Sequence, residues 1–522
     1  MAIIEYGGNN LKTFKNPILE GFSPDPSACA VGDDFYLVTS TFAYFPGLPI
    51  YHSTDMVNWT QIGNVLDRES QLNLLGATHS AGIYAPCIRY YDGTFYVITT
   101  NVTNGGNFIV TATSPEGPWS EPYFLDQAPG IDPSLFFDDD GRCYYVGTRP
   151  RPEGVRYNGD WEVWVQELEL TTMKLIGLSR KVWKGAFKDV IWPEGPHLYK
   201  RNGYYYLLIA EGGTGFHHAI TVARSRSVEG PYESNPCNPI LTHRHLGRDY
   251  PLQNVGHGDL VEDSQHNWYL TCLGSRIFDG HSNLGRETFL ALVEWEDDWP
   301  VINPSVGKLL EEQEHYYDIA SQQLSDTTID FSKGIPKQAL FLRNPDMANY
   351  QTDETGLTLT LSSESLRELL SPSYIGIRQQ TMAYQLETHL TFDPQQDRQE
   401  AGLAIIQNDK HSIRLVLGQF EGKTELRVIQ LLDGSETLLA QLPYAFDQVT
   451  LIIKAEQQDL SFFVVPTNAD RETLLCQQVD GRFLSTEVAG GFVGCTMGAY
   501  ASSNGEQTTQ TAHFNQLVHK RL

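Results

Sequence analysis

Through the first three hundred residues, short runs that alternate apolar with polar side chains sit between Gly, Asp and Asn turns, and these predict strands rather than helices. One unit recurs: a turn leading into an aromatic-rich strand, as GDDFYLVTS at 32–40, YDGTFYVITT at 91–100, DDGRCYYVGT at 139–148, RNGYYYLLIA at 201–210 and SQHNWYLTCL at 264–273. The first four copies carry the Asp-Gly, Asp-Asp or Asn-Gly chemistry that a tight hairpin requires. Their central residues Tyr36, Tyr96, Tyr145, Tyr206 and Tyr269 recur at intervals of about 50 to 60 residues, long enough for a four-stranded propeller blade and too long for a solenoid turn. A second landmark follows several copies, ending at Trp59, Trp119, Tyr232 and Trp299. Five such units predict a five-bladed β-propeller.

The repeat stops after Pro304, and KLLEEQEHYYDIASQQLSDTT at 308–328 reads as a connection. Period-two alternation then resumes in GLTLTLSS at 356–363, YQLETHLTFD at 384–393 and QVTLIIKAE at 448–456, with turns at Glu421-Gly422 and Asp433-Gly434. That is the signature of a β-sandwich. The expected organisation is therefore all-β: a propeller over 1–307, a linker over 308–329 and a sandwich over 330–522.

Composition narrows the function. Across 522 residues the formal net charge is −27, so a phosphate backbone or an anionic membrane surface would be repelled over most of the exterior. No apolar run approaches the roughly 18 residues of a membrane span. The stretch MAIIEYGGNN lacks the basic, apolar and small-residue regions of an export leader. The 7 cysteines are odd in number and scattered, as expected of reduced thiols. A cytoplasmic location is the expectation.

The chemistry follows from the repeat. In a propeller the innermost strand of every blade lines the axis, so equivalent positions converge there. Reading back from the aligned tyrosines gives Asp25, Tyr84, Asp132, Glu194 and His257 at nearly one register. An isolated Asp-Pro is usually a turn former, but three carboxyls from separate blades at one axial mouth repel one another. Such sets are typical of sites needing one protonated and one ionised carboxyl, the pair that cleaves a glycosidic bond. Phe42, Tyr44, Phe45, Tyr84 and Trp192 offer apolar faces for a sugar near that mouth. No nucleophile elbow, phosphate loop, HExxH or dinucleotide fingerprint is present; Gly212-Gly213-Thr214-Gly215 reads as a turn, and the His217-His218 and His243-Arg244-His245 groups read as hydrogen-bonded histidines. No redox or phosphate cofactor is implied.

In order along the chain, GFSPDPSACAVGDDFYLVTSTFAYFPGLPIYHSTDMVNW, GIYAP, GIDPSLFFDDDG, EGPHLYKRNGYYYLLIAEGGT, GHGDLV and LGRETFLALVEWEDDWP resemble glycoside hydrolase family 43, in particular its β-xylosidase and α-L-arabinofuranosidase group with a C-terminal β-sandwich. The resemblance implies an inverting exo-hydrolase in which Asp25 is the general base, Glu194 the general acid and Asp132 the carboxyl that tunes the acid. It further implies that Arg286 contacts substrate and the axial carboxylates, and that Phe42 walls the sugar pocket. His257 would lie near an axial calcium ion or ordered water, with no metal otherwise required. Relatives of this kind are often oligomeric.

Two departures stand out. GIYAPC places Tyr84 and Cys87 where many relatives have GIWAPD, and the aromatic that a sandwich loop lends to the pocket in xylosidase relatives has Val488 as its expected counterpart. Both point away from the xylosidase pattern. The reading is an α-L-arabinofuranosidase acting on arabinoxylan-derived oligosaccharides with β-xylosidase side activity. The alternatives are a xylan 1,4-β-xylosidase and a non-catalytic pentose-binding propeller; the NDPNG, RDP and EC signatures of a retaining fructosidase are absent.

Overall fold

The computed structural model describes residues 13–322, 326–469 and 471–522. The N-terminal stretch read for an export leader lies outside them, as do residues 323–325 of the expected linker.

Among the described residues, the first part of the chain builds five antiparallel sheets of four strands each. Their first strands are Ser27–Val31, Cys87–Tyr91, Ile131–Phe137, Glu194–Arg201 and Leu252–Glu262, which touch in cyclic order, the last returning to the first. The repeated tyrosines all fall on the second strands. Asp92-Gly93 and Asn202-Gly203 join first to second strand with φ of 46° and 78°, and 51° and 73°, the left-handed pair of a type I′ turn.

Apolar seams hold neighbouring sheets together. Val38, Ile50 and Val65 meet Phe95, Val97 and Phe108; Ile98 and Ile109 meet Tyr145 and Trp164; Val146 and Val163 meet Leu207 and Ile209; Leu208 and Val222 meet Leu270 and Phe289. The fifth seam, between Phe35 and Leu37 on one side and Tyr269 and Leu290 on the other, also takes in Phe14, Ile18 and Ile319. The ring is thus closed by side chains from outside the repeat. The architecture is a β-propeller followed by a β-sandwich.

The segment expected as a linker is structured at both ends. Glu312–Glu314 pairs with Thr13–Lys15, Tyr316 and Tyr317 pack on the closing seam, and Thr327–Asp330 pairs with Gln516–Arg521 in the sandwich. The described residues of the connection form a strap along the protein.

The sandwich stacks a nine-stranded on a six-stranded sheet. In the larger, Ala383–Thr391 alternates buried with part-exposed positions, as period two demands. In the smaller, Glu400–Asn408 and His411–Phe420 are buried along nearly their whole length. Leu403, Ile405, Ile413 and Leu415 fill the inter-sheet core, while Ala404, Ile406 and Val416 face the opposite way, onto Phe22, Phe42 and Tyr44 of the propeller. The sheet is therefore covered on both faces, and Phe42 links it to the axial site.

Candidate active site

The first strands all begin at one end of the propeller, and the chemistry collects there. Asp25 lies just before Ser27–Val31, Asp132 is the second residue of Ile131–Phe137, Glu194 opens Glu194–Arg201, and His257 sits within Leu252–Glu262. Register shifts interrupt the pairing beside the last three, and such bulges re-aim a side chain out of the ladder. Asp25, Asp132 and His257 have φ of 55°, 52° and 41°. A left-handed conformation costs a non-glycine residue roughly 1–2 kcal/mol, so three at one register mark backbone held for the site.

Together these residues line a cavity of about 220 Å³ with Phe42, Tyr84, Trp192, Thr214, Arg286 and Phe492. It is smaller than the roughly 300–1,000 Å³ of pockets for drug-sized ligands, and suits one sugar ring.

The three carboxyls differ in environment. Arg286 Nη1 donates to Asp25 Oδ1 at 2.9 Å and Ser40 Oγ donates to Oδ2 at 2.5 Å, with His257 Nδ1 3.5 Å from Oδ1. Burial works to raise the Asp25 pKa, but Arg286, His257 and Ser40 together outweigh it and hold the carboxyl below its ordinary value. Asp132 accepts from the Gly195 N–H at 3.2 Å; burial pushes it up to about 6, the charge of Asp25 adding to the rise against His257 and that N–H. Glu194 is driven well above the carboxylate range by burial and then by the charges of Asp132 and Asp25, which Arg286 offsets only in part. One carboxyl is biased toward its ionised form and another toward its protonated form across a single small cavity, the division of labour that acid–base cleavage of a glycosidic bond needs.

Arg286 is buried and also donates to Thr214 Oγ1 at 3.2 Å and, through Nε and Nη2, to the Phe492 carbonyl at 3.3 and 3.2 Å. Phe492 comes from the sandwich. Its ring stacks on Phe42 at 6.1 Å and meets Tyr84 edge-on at 6.2 Å, and its N–H donates to Ser80 Oγ.

The axial expectations for Asp25, Tyr84, Asp132, Glu194, His257, Phe42 and Arg286 thus converge on one cavity. Others do not. Tyr44 is turned away, its hydroxyl paired with Thr496 Oγ1, and Phe45 packs in the domain cores. Val488 is not the sandwich's contribution to the pocket: it is solvent-exposed, and Phe492 lines the cavity instead. Cys87 is buried in the seam between two blades, which leaves Tyr84 as the departure that reaches the cavity. The Gly212–Gly215 turn supplies Gly213 and Thr214 to the wall, a role its composition did not signal. His257 turns one ring nitrogen to Asp25 and its Nε2 edge to Gly195. Calcium takes six to eight oxygen ligands, and among the described residues no group of three or more His, Cys, Asp or Glu is set to hold a metal.

Comparison with known proteins agrees with this geometry. Residues 14–300 match the model for glycosyl hydrolases family 43. The chain belongs to that family. Residues 328–519 match the β-xylosidase C-terminal concanavalin A-like domain. A xylosidase/arabinosidase of Butyrivibrio fibrisolvens is 51% identical, the match covering 96% of this chain and 98% of that protein. A non-reducing-end α-L-arabinofuranosidase of Bacteroides ovatus is 38% identical over 97% of this chain and 94% of its own. The crystal structure of a xylan β-1,4-xylosidase from Bacillus halodurans superposes with a TM-score of 0.91 at 35% identity, covering 97% of this chain and 100% of that one. This family 43 enzyme is a glycoside hydrolase with a propeller site completed by its sandwich.

Proposed function

We propose that this hydrolase removes single pentoses from the non-reducing ends of arabinoxylan-derived oligosaccharides, taking α-L-arabinofuranosides and also β-D-xylosides in the same pocket. The observation that carries it is the pairing, across a cavity sized for one ring, of Asp25, bonded to Arg286 and Ser40, with Glu194, buried among like charges that favour its protonated form. Asp25 accepts a proton from the water that attacks the anomeric carbon; Glu194 gives its proton to the departing glycosidic oxygen. Asp132, beside Glu194's own backbone, adds the negative charge that keeps the acid protonated. Inversion follows if the two carboxyls stand roughly 6.5–9.5 Å apart with the water between them.

Tyr84, which lines the cavity where the family motif carries a larger indole, supports the arabinoside. Phe492 closing on Phe42 favours the xyloside, and the 51%-identical relative is named for both activities. The test is kcat/KM for p-nitrophenyl α-L-arabinofuranoside beside p-nitrophenyl β-D-xylopyranoside, with Glu194→Gln as control. Turnover of both, with the arabinoside ahead, is expected; turnover of one alone would restrict the pocket to that pentose, and turnover of neither would favour a binding propeller. Glu194→Gln should lose several orders of magnitude on poor leaving groups and far less on aryl glycosides, because a good leaving group needs little proton assistance. Equal losses would remove Glu194 from the acid's role. Proton NMR of the first-formed sugar should show the inverted anomer.

A further inference from the structure

His218 takes no part in the chemistry above, yet it lies directly behind Glu194. Its side chain is buried, and Nε2, shielded from solvent, has no hydrogen-bond partner. That orphan atom stands 3.9 Å from Glu194 Oε1. The opposite nitrogen, Nδ1, is 2.9 Å from the Asn254 carbonyl oxygen. A carbonyl only accepts, so Nδ1 carries the ring hydrogen and Nε2 presents a lone pair.

Three features of the neighbouring blade hold the ring in that tautomer. Asn254 has φ of 60°, which turns its carbonyl out of the ladder. The pairing of Leu252–Glu262 shifts register between Gln253 and Gly256. Gly256 has no side chain, and a Cβ built there would fall 2.2 Å from His218 Nδ1, so the ring occupies space that only glycine leaves.

Resting on the reading of Glu194 as the acid, we propose that His218 is its positioning residue: the Nε2 lone pair accepts a hydrogen bond from the protonated Glu194 carboxyl in the resting enzyme, orienting the carboxyl and favouring its protonated form. A rotation of the Glu194 carboxyl closes the gap to hydrogen-bond length. In turnover the carboxyl swings back, its O–H bond breaks as the leaving oxygen takes the proton, and His218 stays neutral throughout. Burial, with His257 and Arg286 nearby, lowers the His218 pKa to about 3 against the pull of the Asn254 carbonyl, in keeping with a ring that accepts and does not ionise. The charged and titratable groups facing the pair are Asp25, Asp132, Arg286 and His257.

His218→Leu and His218→Gln both fill the ring's place and both lose the bond to Asn254, but only Gln offers an acceptor to Glu194. Expected for Leu is a loss about tenfold greater on methyl α-L-arabinofuranoside than on the p-nitrophenyl glycoside, and a basic limb of the kcat/KM profile about one unit lower, since a bond to the neutral acid raises its pKa. Gln should keep most of both. Equal losses for Leu and Gln on the two substrates, with the limb unmoved, would reduce His218 to packing. If Leu does not fold, long-range 1H–15N spectra of the wild-type histidine rings decide: an Nδ1–H tautomer at His218 supports the proposal, and Nε2–H overturns it. Glu194→Gln on the same two substrates separates the cases, because equal losses there sink the acid assignment itself, whatever His218 does.

Discussion

Asp25 and Glu194 are both carboxyls at blade-equivalent positions, and their neighbours divide them. Arg286 bonds Asp25 directly and reaches Glu194 only through space, so one is biased toward its ionised form while the other, among like charges, is biased toward its protonated form. Arg286 lowers the pKa of both groups. Removing it should raise both, so that Asp25 ionises only at higher pH and Glu194 keeps its proton to higher pH. Arg286→Gln should therefore shift both limbs of the kcat/KM profile upward, by about one unit, along with a loss of activity. Movement of the acid limb downward would contradict the pairing. The three acids were legible in the sequence because the repeat supplies its own alignment: residues at nearly the same distance before each tyrosine meet on the axis. His218 was not, since the signal that distinguishes it from an ordinary core histidine is an unpartnered nitrogen aimed at Glu194, which no spacing encodes.

At the level of strands, a polar rivet beneath the site ties four blades together. The Asp259 carboxylate accepts from Ser27 Oγ at 2.6 Å, the Ala28 N–H at 3.2 Å, Arg89 Nη1 and Nη2 at 2.8 and 3.0 Å, and the Tyr199 hydroxyl at 2.5 Å. Burial alone would raise its pKa, but Arg89, His197 and these bonds hold it well below the usual range. Asp259→Asn keeps the shape and leaves the half-buried Arg89 without its counter-charge, which should cost up to about 3 kcal/mol and appear as a lower melting temperature. A group with a depressed native pKa stabilises above its unfolded value and loses that contribution as pH falls. The gap between wild type and Asp259→Asn should thus narrow once pH drops below about 4. A gap that stays constant would mean that the network stabilises by packing alone. The hairpins around this rivet were readable from turn chemistry and aromatic runs; the rivet joins residues far apart in the chain and was not.

Over the whole molecule, the sandwich completes the pocket. Phe492 walls it and its carbonyl anchors Arg286, at a crossing where a propeller loop and a sandwich loop touch backbone to backbone: a Cβ on Gly494 would fall 2.2 Å from the Leu284 carbonyl oxygen, and one on Gly285 2.7 Å from Gly494 Cα. Gly494→Ala should push the loops apart and lower kcat/KM through Arg286 and Phe492 together. Phe492→Ala removes only the ring, and should raise KM and lower kcat/KM by about tenfold or more, a lost aromatic wall being worth a few kcal/mol at most, with little change in melting temperature. An unchanged KM would mean that the ring does not meet the sugar. The sequence by itself determined the all-β class, the repeated blade, the sandwich and the convergence of the three acids, because strand periodicity, turn residues and a repeat are local or self-aligning signals. Only the tertiary structure decided which aromatic reaches the pocket, that the strap closes the ring, and which neighbours surround each carboxyl. Those depend on contacts between segments hundreds of residues apart, and on burial and charge that exist only once those segments meet.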